Sequence, residues 1–217
     1  MRASFVLDRD LLDKLQQGME KLGLVPDPGL SESCLLYLTL LSAWNKAYNL
    51  TAVHGMENMM NHHVLDSLSV LPYLKGNICL DVGSGAGLPG MVLALARPQH
   101  HWVLLDSNRK KIRFLNQAVM DLEINNVQVV HSRIEEYLPE SGFSTIISRA
   151  LTSVREFYEQ VVPLAEGKGR IILMKGKNID DEIREFDLEN VKPEVHTVNV
   201  PGLDRTRHLV ILDIDQN

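Results

Sequence analysis

Apolar positions recur at helical spacing in the first third of the chain and then give way to short apolar runs separated by turn signals. From Asp8 to Leu22 the stripe Leu11, Leu12, Leu15, Met19 and Leu22 predicts a helix that Gly23, Pro26 and Pro28 end. A second helix is predicted from about Ser31, where Leu35, Leu36, Leu38, Leu40, Leu41 and Trp44 make it apolar enough to pack on two sides. The polar stretch Asn45–Thr51 reads as a turn, and a third helix from about Glu57 to Leu71 carries His62, His63 and Asp66. From Asn77 onward the pattern alternates strand and helix, with strands at Ile78–Val82, His101–Asp106, Val127–His131, Phe143–Ser148, Gly169–Met174, Glu194–Val200 and His208–Ile214. Helices are expected in the gaps between the first six strands. Only Pro201–Arg207 separates the last two, too short for a helical crossover, so they are expected to pair as an antiparallel hairpin. The expected organisation is a helical cap over residues 1–75 and an α/β sheet unit over residues 76–217, packed as one compact body.

The run Leu80-Asp81-Val82-Gly83-Ser84-Gly85-Ala86-Gly87-Leu88-Pro89-Gly90 joins the first of these strands to a helix through a glycine-rich turn. Glycines let the backbone take positive φ and let a ligand lie against main-chain N–H groups. Read from Gly85, the run satisfies the dinucleotide pattern G-x-G-x-x-G through Gly85, Gly87 and Gly90. Read from Asp81, it resembles the acidic residue followed by G-x-G-x-G of S-adenosylmethionine (SAM) methyltransferases. The second register fits better, because Asp81 would repel a pyrophosphate but suits a cationic amino group. The next strand ends in Asp106, about 20 residues beyond the turn, where Rossmann-like sheets place the acid that holds ribose hydroxyls. Asp106 is therefore a ribose ligand or, alternatively, the cap of a helix starting near Asn108.

Composition narrows the class. The chain has 217 residues, 45% of them hydrophobic, which suffices for a core, and no apolar run approaches the roughly 20 residues of a membrane span. The N-terminus lacks a signal-peptide core, so a cytoplasmic protein is expected. Cys34 and Cys79 stand apart in apolar contexts and read as buried thiols, and no zinc-type spacing is present. The net charge of −6 excludes a uniformly basic surface. It leaves three basic clusters: Arg109-Lys110-Lys111-Arg113, then Lys168, Arg170, Lys175 and Lys177, then Arg205, Arg207 and His208. Each is a solvated face or a phosphate contact.

With these features in place, the sequence resembles the bacterial 16S ribosomal RNA guanine-N(7)-methyltransferase family, also called the glucose-inhibited division protein B family. The segments that carry the resemblance are WNKAYNLTAV (44–53), HHVLDSLSV (62–70), LDVGSGAGLPG (80–90), LLDSNRKKIRFL (104–115), ISRALTS (147–153), Lys175-Gly176 and DRTRHLVIL (204–212). It implies a class I SAM-dependent methyltransferase (Rossmann-like) sheet closed by the antiparallel hairpin, beneath an N-terminal helical cap. It also implies SAM contacts from Gly83, Leu88, Asp106, Ile134, Glu135 and Arg149, with Gly85 in the same cradle. All of these follow the C-terminal ends of strands, where open parallel sheets bind ligands. His63 matches the family, whereas His62 stands where the family usually has Arg or Lys; His63 and Arg149 are candidates for positioning substrate.

The implied reaction is methylation at N(7) of a guanine in 16S rRNA, with the RNA or the small ribosomal subunit as partner. That ring nitrogen carries a lone pair and no proton, so no general base is expected. The chain agrees in what it lacks. Amino-nitrogen methyltransferases place Asn/Asp-Pro-Pro-aromatic after the fourth strand, where this chain has Ser148-Arg149-Ala150, and neither cysteine is placed to attack a ring carbon. A monomer is expected, with no metal, membrane or DNA partner. The competing readings are a methyltransferase acting on a small molecule or protein, and a non-catalytic nucleotide-binding module.

Overall fold

The computed structural model describes residues 8–149, 152–176, 179–186, 188 and 191–215. Its helices are α1 (Arg9–Lys21), α2 (Pro28–Tyr48), α3 (Met56–Met59), α4 (Asp66–Leu68), α5 (Gly90–Ala96), α6 (Arg109–Asp121), α7 (Val154–Val161) and α8 (Asp180–Glu185). The strands are β1 (Ile78–Val82), β2 (His101–Asp106), β3 (Val127–His131), β4 (Phe143–Arg149), β5 (Ala165–Lys175), β6 (Glu194–Val198) and β7 (Arg207–Asp213). They form one sheet in the order β3-β2-β1-β4-β5-β7-β6. The first five run parallel and β7 lies antiparallel to both β5 and β6, which gives the expected hairpin.

The strand residues alternate between two apolar cores, one on each face of the sheet. Trp102, Leu104, Ile147, Ile172, Met174 and Leu209 belong to one cluster, and Leu105, Ile146, Ile171, Leu173, Val210 and Leu212 to the other. The first cluster also takes in Leu15 and Met19 of α1 and Leu35, Tyr37, Leu38 and Leu41 of α2. The N-terminal helices thus pack on one face of the sheet. Local chemistry fixes their ends. Asp8 accepts from Asp10 N–H, Asp27 accepts from Leu30 N–H with Pro28 in the first turn, and Ser153 and Glu156 cap each other reciprocally at α7.

Four expectations need correction. The stretch expected to turn at Asn45 stays helical through Tyr48, because Asn45 turns its carboxamide inward onto Thr51 and Asn49 ends the helix in the left-handed region. The third helix is not one α-helix: α3 and α4 flank a π-helical turn, Met60–Leu65, and the helical path ends at Leu68. Between β3 and β4 a 3₁₀ turn, Ile134–Glu136, takes the place of the expected helix. β5 starts at Ala165 rather than Gly169, because a pairing irregularity between Phe143 and Thr145 lets the strand begin early.

Candidate functional site

The site is built where β1 ends. After Val82 the chain takes positive φ at Gly83 (66°), Gly85 (61°) and Gly87 (91°), which is why three glycines are needed within five residues. Ser84 organises the turn: its N–H donates to Leu105 O at 3.0 Å, and its carbonyl accepts from Gly87 and Leu88 N–H at 2.7 and 2.9 Å. From α2 the buried Tyr37 hydroxyl donates to the Ala86 carbonyl. At Gly90 a Cβ would stand 2.3 Å from Leu104 Cδ2 and 2.7 Å from Asp81 Oδ2, so α5 can lie close to the sheet only with glycine there.

The two acidic strand ends differ. Asp81 is fully buried beneath the turn, its Oδ2 accepts Gly90 N–H at 2.7 Å, and Oδ1 has no hydrogen-bond partner. Burial pushes its carboxyl up to about 7, against the pull of the Gly90 N–H and the Arg149 charge. Asp81 is absent from the cavity walls described next, so a direct contact with a ligand's amino group, the reason for favouring it above, is not what the structure presents. Asp106 does face a cavity. Its Oδ2 accepts Gly85 N–H at 2.8 Å, its Oδ1 accepts Asn108 N–H at 2.7 Å, and Lys111 Nζ lies 3.7 Å away. Asn108, which accepts Lys110 N–H, is the cap of α6, so the capping alternative for Asp106 falls to its neighbour.

Two adjoining cavities open over the turn. The outer, about 480 Å³, is lined by Gly83, Asp106, Ile134 and Glu135 among others; the inner, about 250 Å³, by Gly83, Gly85, Leu88 and Arg149 together with Leu50 and Thr51. Gly83 and Lys111 line both. Every cofactor-contact residue named from the sequence therefore borders one or other of these two adjoining cavities.

The inner wall rests on the segment after α2. Asn45 holds Thr51 by two hydrogen bonds, 3.0 and 2.9 Å, and Thr51 Oγ1 meets His63 Nε2 at 2.9 Å. His63 is buried, and desolvation with the Arg149 charge pushes it down to about 4, leaving the imidazole neutral near pH 7. It reaches the cleft only through Thr51. His62, on the other side of the π turn, is partly exposed, and its carbonyl accepts from Arg149 Nη1 at 3.3 Å.

Arg149 is further held by Asp66, whose Oδ2 lies 3.6 Å from Nη1. Asp66 is fully buried and also takes Arg207 of β7 in a two-pronged pair, Nε–Oδ1 2.8 Å and Nη2–Oδ2 3.1 Å. Lys175 is likewise paired internally, with Glu182 at 2.8 Å, and Arg170 with Asp213 at 2.8 Å. Lys177 lies outside the described residues. Among the described residues the cluster on α6 presents three exposed cations without an ion pair, Arg109, Lys110 and Arg113, whereas each of the other two clusters presents one, Lys168 and Arg205. Sequence reasoning missed Thr51 and the Asp66–Arg207 pair, and named Lys111 only as one member of a basic cluster. Thr51 and Asp66 lie within the segments that carry the family resemblance, but nothing local marks them as parts of the cleft.

A parallel sheet in the order 3-2-1-4-5, an antiparallel edge hairpin and a glycine cradle at the end of β1 define a class I SAM-dependent methyltransferase fold. A solved SAM dependent methyltransferase from Aquifex aeolicus shares it, with TM-score 0.52 and 18% identity over 70% of this chain and 90% of that one. Residues 31–210 match the family described as rRNA small subunit methyltransferase G, and the chain belongs to that family. It is 46% identical over 200 residues to Ribosomal RNA small subunit methyltransferase G of Coxiella burnetii, covering 92% of this chain and 97% of the relative. The relative of the same description from Pseudomonas syringae is 43% identical over 199 residues, covering 92% and 93%. No helix among the described residues is long and apolar enough to cross a membrane.

Proposed function

We propose that this chain is a SAM-dependent methyltransferase that methylates N(7) of a guanine in 16S rRNA, working as a monomer in the cytoplasm. The observation that carries the reading is the pair of adjoining cavities that share Gly83, bordered between them by Gly83, Gly85, Leu88, Asp106, Ile134, Glu135 and Arg149. These residues fit the cofactor. Each Asp106 oxygen takes one backbone N–H and keeps a lone pair for a ribose hydroxyl, while Ile134 offers an apolar side chain to a ring and Glu135 a polar partner. SAM, when bound, supplies a methyl group on a sulfonium sulfur.

The inner cavity supports this choice of target atom. Its described lining has two cations, Lys111 and Arg149, two hydroxyls, Thr51 and Ser84, and no carboxylate, imidazole or thiol. Such a wall can orient an electron-rich ring and exclude water, but it offers no group to remove a proton. Guanine N(7) needs none. Arg149 commits Nη1 to the His62 carbonyl and Asp66, which leaves Nε and Nη2 for acceptors in the cavity.

The test is nuclease digestion and mass spectrometry of rRNA from cells with and without the protein. One 7-methylguanine should disappear from 16S rRNA when the protein is absent and return on incubation of that RNA or of small subunits with protein and SAM. An unchanged 16S profile, or methyl transfer only to protein or small molecules, would overturn the reading.

A further inference from the structure

Arg109, Ile112, Arg113 and Met120 follow one another along a single exposed face of α6, and with His131 at the end of β3 they line a third cavity of about 550 Å³. No carboxylate lines it, in a chain of net charge −6. The opposite face of α6 is anchored by buried Phe114, Leu115 and Ala118, so the helix cannot roll to hide its cations. His131 Nε2 meets the Ser107 carbonyl at 3.0 Å and ties the end of β3 to the β2–α6 corner.

The patch adjoins the cleft at the start of α6. α6 begins where β2 ends, so Arg109 and Lys110 stand beside Asn108 and Lys111, which line the outer cavity together with Arg133. Among the described residues Arg109, Lys110, Arg113 and Arg133 have no ion-pair partner, whereas Arg149, Arg170, Lys175 and Arg207 all do; the exposed Lys168 and Arg205 are also unpaired, but neither lines this cavity. The carboxylate that bounds the patch is Asp121 at the far end of α6, engaged by Gln117 at 2.8 Å. Glu135, on the cleft side, lines the outer cavity. From Arg109 to Met120 the face runs about 16 Å, the axial length of four or five phosphates of one strand at about 3.4 Å each.

We propose that this α6–β3 face is the docking surface for the sugar–phosphate backbone of the rRNA flanking the target nucleotide, with Arg109 and Arg113 as its principal phosphate contacts. The proposal rests on the rRNA reading of the cleft and adds where the polymer lies. Unpaired, exposed guanidiniums on a rigid helix meet phosphates by charge and by paired N–H donors, and their desolvation on folding has cost nothing. An RNA seated there releases counterions, so its affinity must fall with salt.

The experiment compares wild type with Arg109→Glu/Arg113→Glu and with Arg109→Gln/Arg113→Gln, using protein-free 16S rRNA and intact small subunits from cells lacking the protein. Both changes lie on an exposed helix face, and an unaltered thermal midpoint checks the fold. The KM for RNA should rise roughly tenfold or more, and the slope of log affinity against log salt should shrink by about two, with SAM affinity unchanged. An unaltered KM and salt slope would overturn the proposal. So would an effect seen with intact subunits and absent with protein-free RNA, which would assign the face to a ribosomal protein. Equilibrium RNA binding without turnover separates this inference from the reading beneath it. Binding that depends on these arginines in a protein that methylates no rRNA keeps the surface and sinks the activity; full methylation by the variants does the reverse.

Discussion

On the wall built by the N-terminal helices, Asp66 is buried to zero exposure and holds two arginines, Arg207 and Arg149; on α6, beside the cleft, Arg109, Lys110 and Arg113 stand in solvent without an ion-pair partner among the described residues. The sequence presents similar basic residues in both places. Folding treats them differently. In the first wall the carboxylate has been taken wholly out of water and the guanidiniums largely so, and the charges must be matched there, so the network fixes one guanidinium at the cavity and is costly to break. In the second wall the charges remain hydrated and ready for a mobile polyanion.

The largest effect is expected from Asp66→Ala, which leaves two partly buried arginines facing each other without a counter-charge. Stability should fall by about 3 kcal/mol in urea unfolding, toward the lower end for a broken buried pair because both guanidiniums keep some exposure. A loss below about 1 kcal/mol would show that the two walls are alike after all. Arg109→Ala, on the solvated wall, should cost no more than about 0.5 kcal/mol.

Asp106→Ala sharpens the comparison from within the cleft. The carboxylate joins two backbone N–H groups and faces the outer cavity, so its loss should weaken SAM binding by about 2 kcal/mol and also loosen the turn. Calorimetry measures the first and thermal melting the second. Unaltered SAM affinity with lowered stability would leave Asp106 as a brace for Gly85 and Asn108 alone.

Smaller effects come from two buried groups that titrate in opposite senses. Asp81, raised to about 7, holds more protons folded than unfolded between about pH 4 and 7, so its contribution to stability is lost as pH rises through that window. His63, lowered to about 4, holds fewer protons folded than unfolded between about pH 4 and 6.5, so its contribution is lost as pH falls. In the wild type the two oppose each other. Asp81→Asn should steepen the loss of stability on acidification and relieve a cost above pH 7, whereas His63→Gln should do the reverse on acidification. Parallel pH profiles for the two variants would contradict the assigned burial. The smallest effect concerns rate: single-turnover methyl transfer at saturation should change by less than about twofold from pH 6 to 8.5, since no side chain removes a proton.

Much of the sheet was legible because each strand's apolar run and the turn residues around it are local signals; β1, β2 and β3 fall on the expected residues. The cradle was legible for the same reason, its three positive-φ glycines being adjacent in sequence. What escaped depends on distant partners. Arg207 and Lys175 read as solvated charges or phosphate contacts until Asp66, 141 residues from Arg207, and Glu182 occupy them. The π turn at Met60–Leu65 keeps an apolar spacing like that of an α-helix, so periodicity could not reveal it. Asn45 looked like a turn former because its own backbone preference is polar and helix-poor; its side-chain grip on Thr51 is a tertiary fact.

The hydrogen bond from Tyr37 to the Ala86 carbonyl links α2 to the glycine turn, and neither Tyr37 nor Ala86 is open to water. The change in sequence pattern near residue 75 is thus not a mechanical joint. A ligand that stiffens the turn must also damp the opening of α2, and a shorter chain without α2 would leave a carbonyl under the cradle deprived of its donor. Amide exchange in a helix that lines neither cavity then becomes a gauge of occupancy, read more than forty residues upstream of the site it reports.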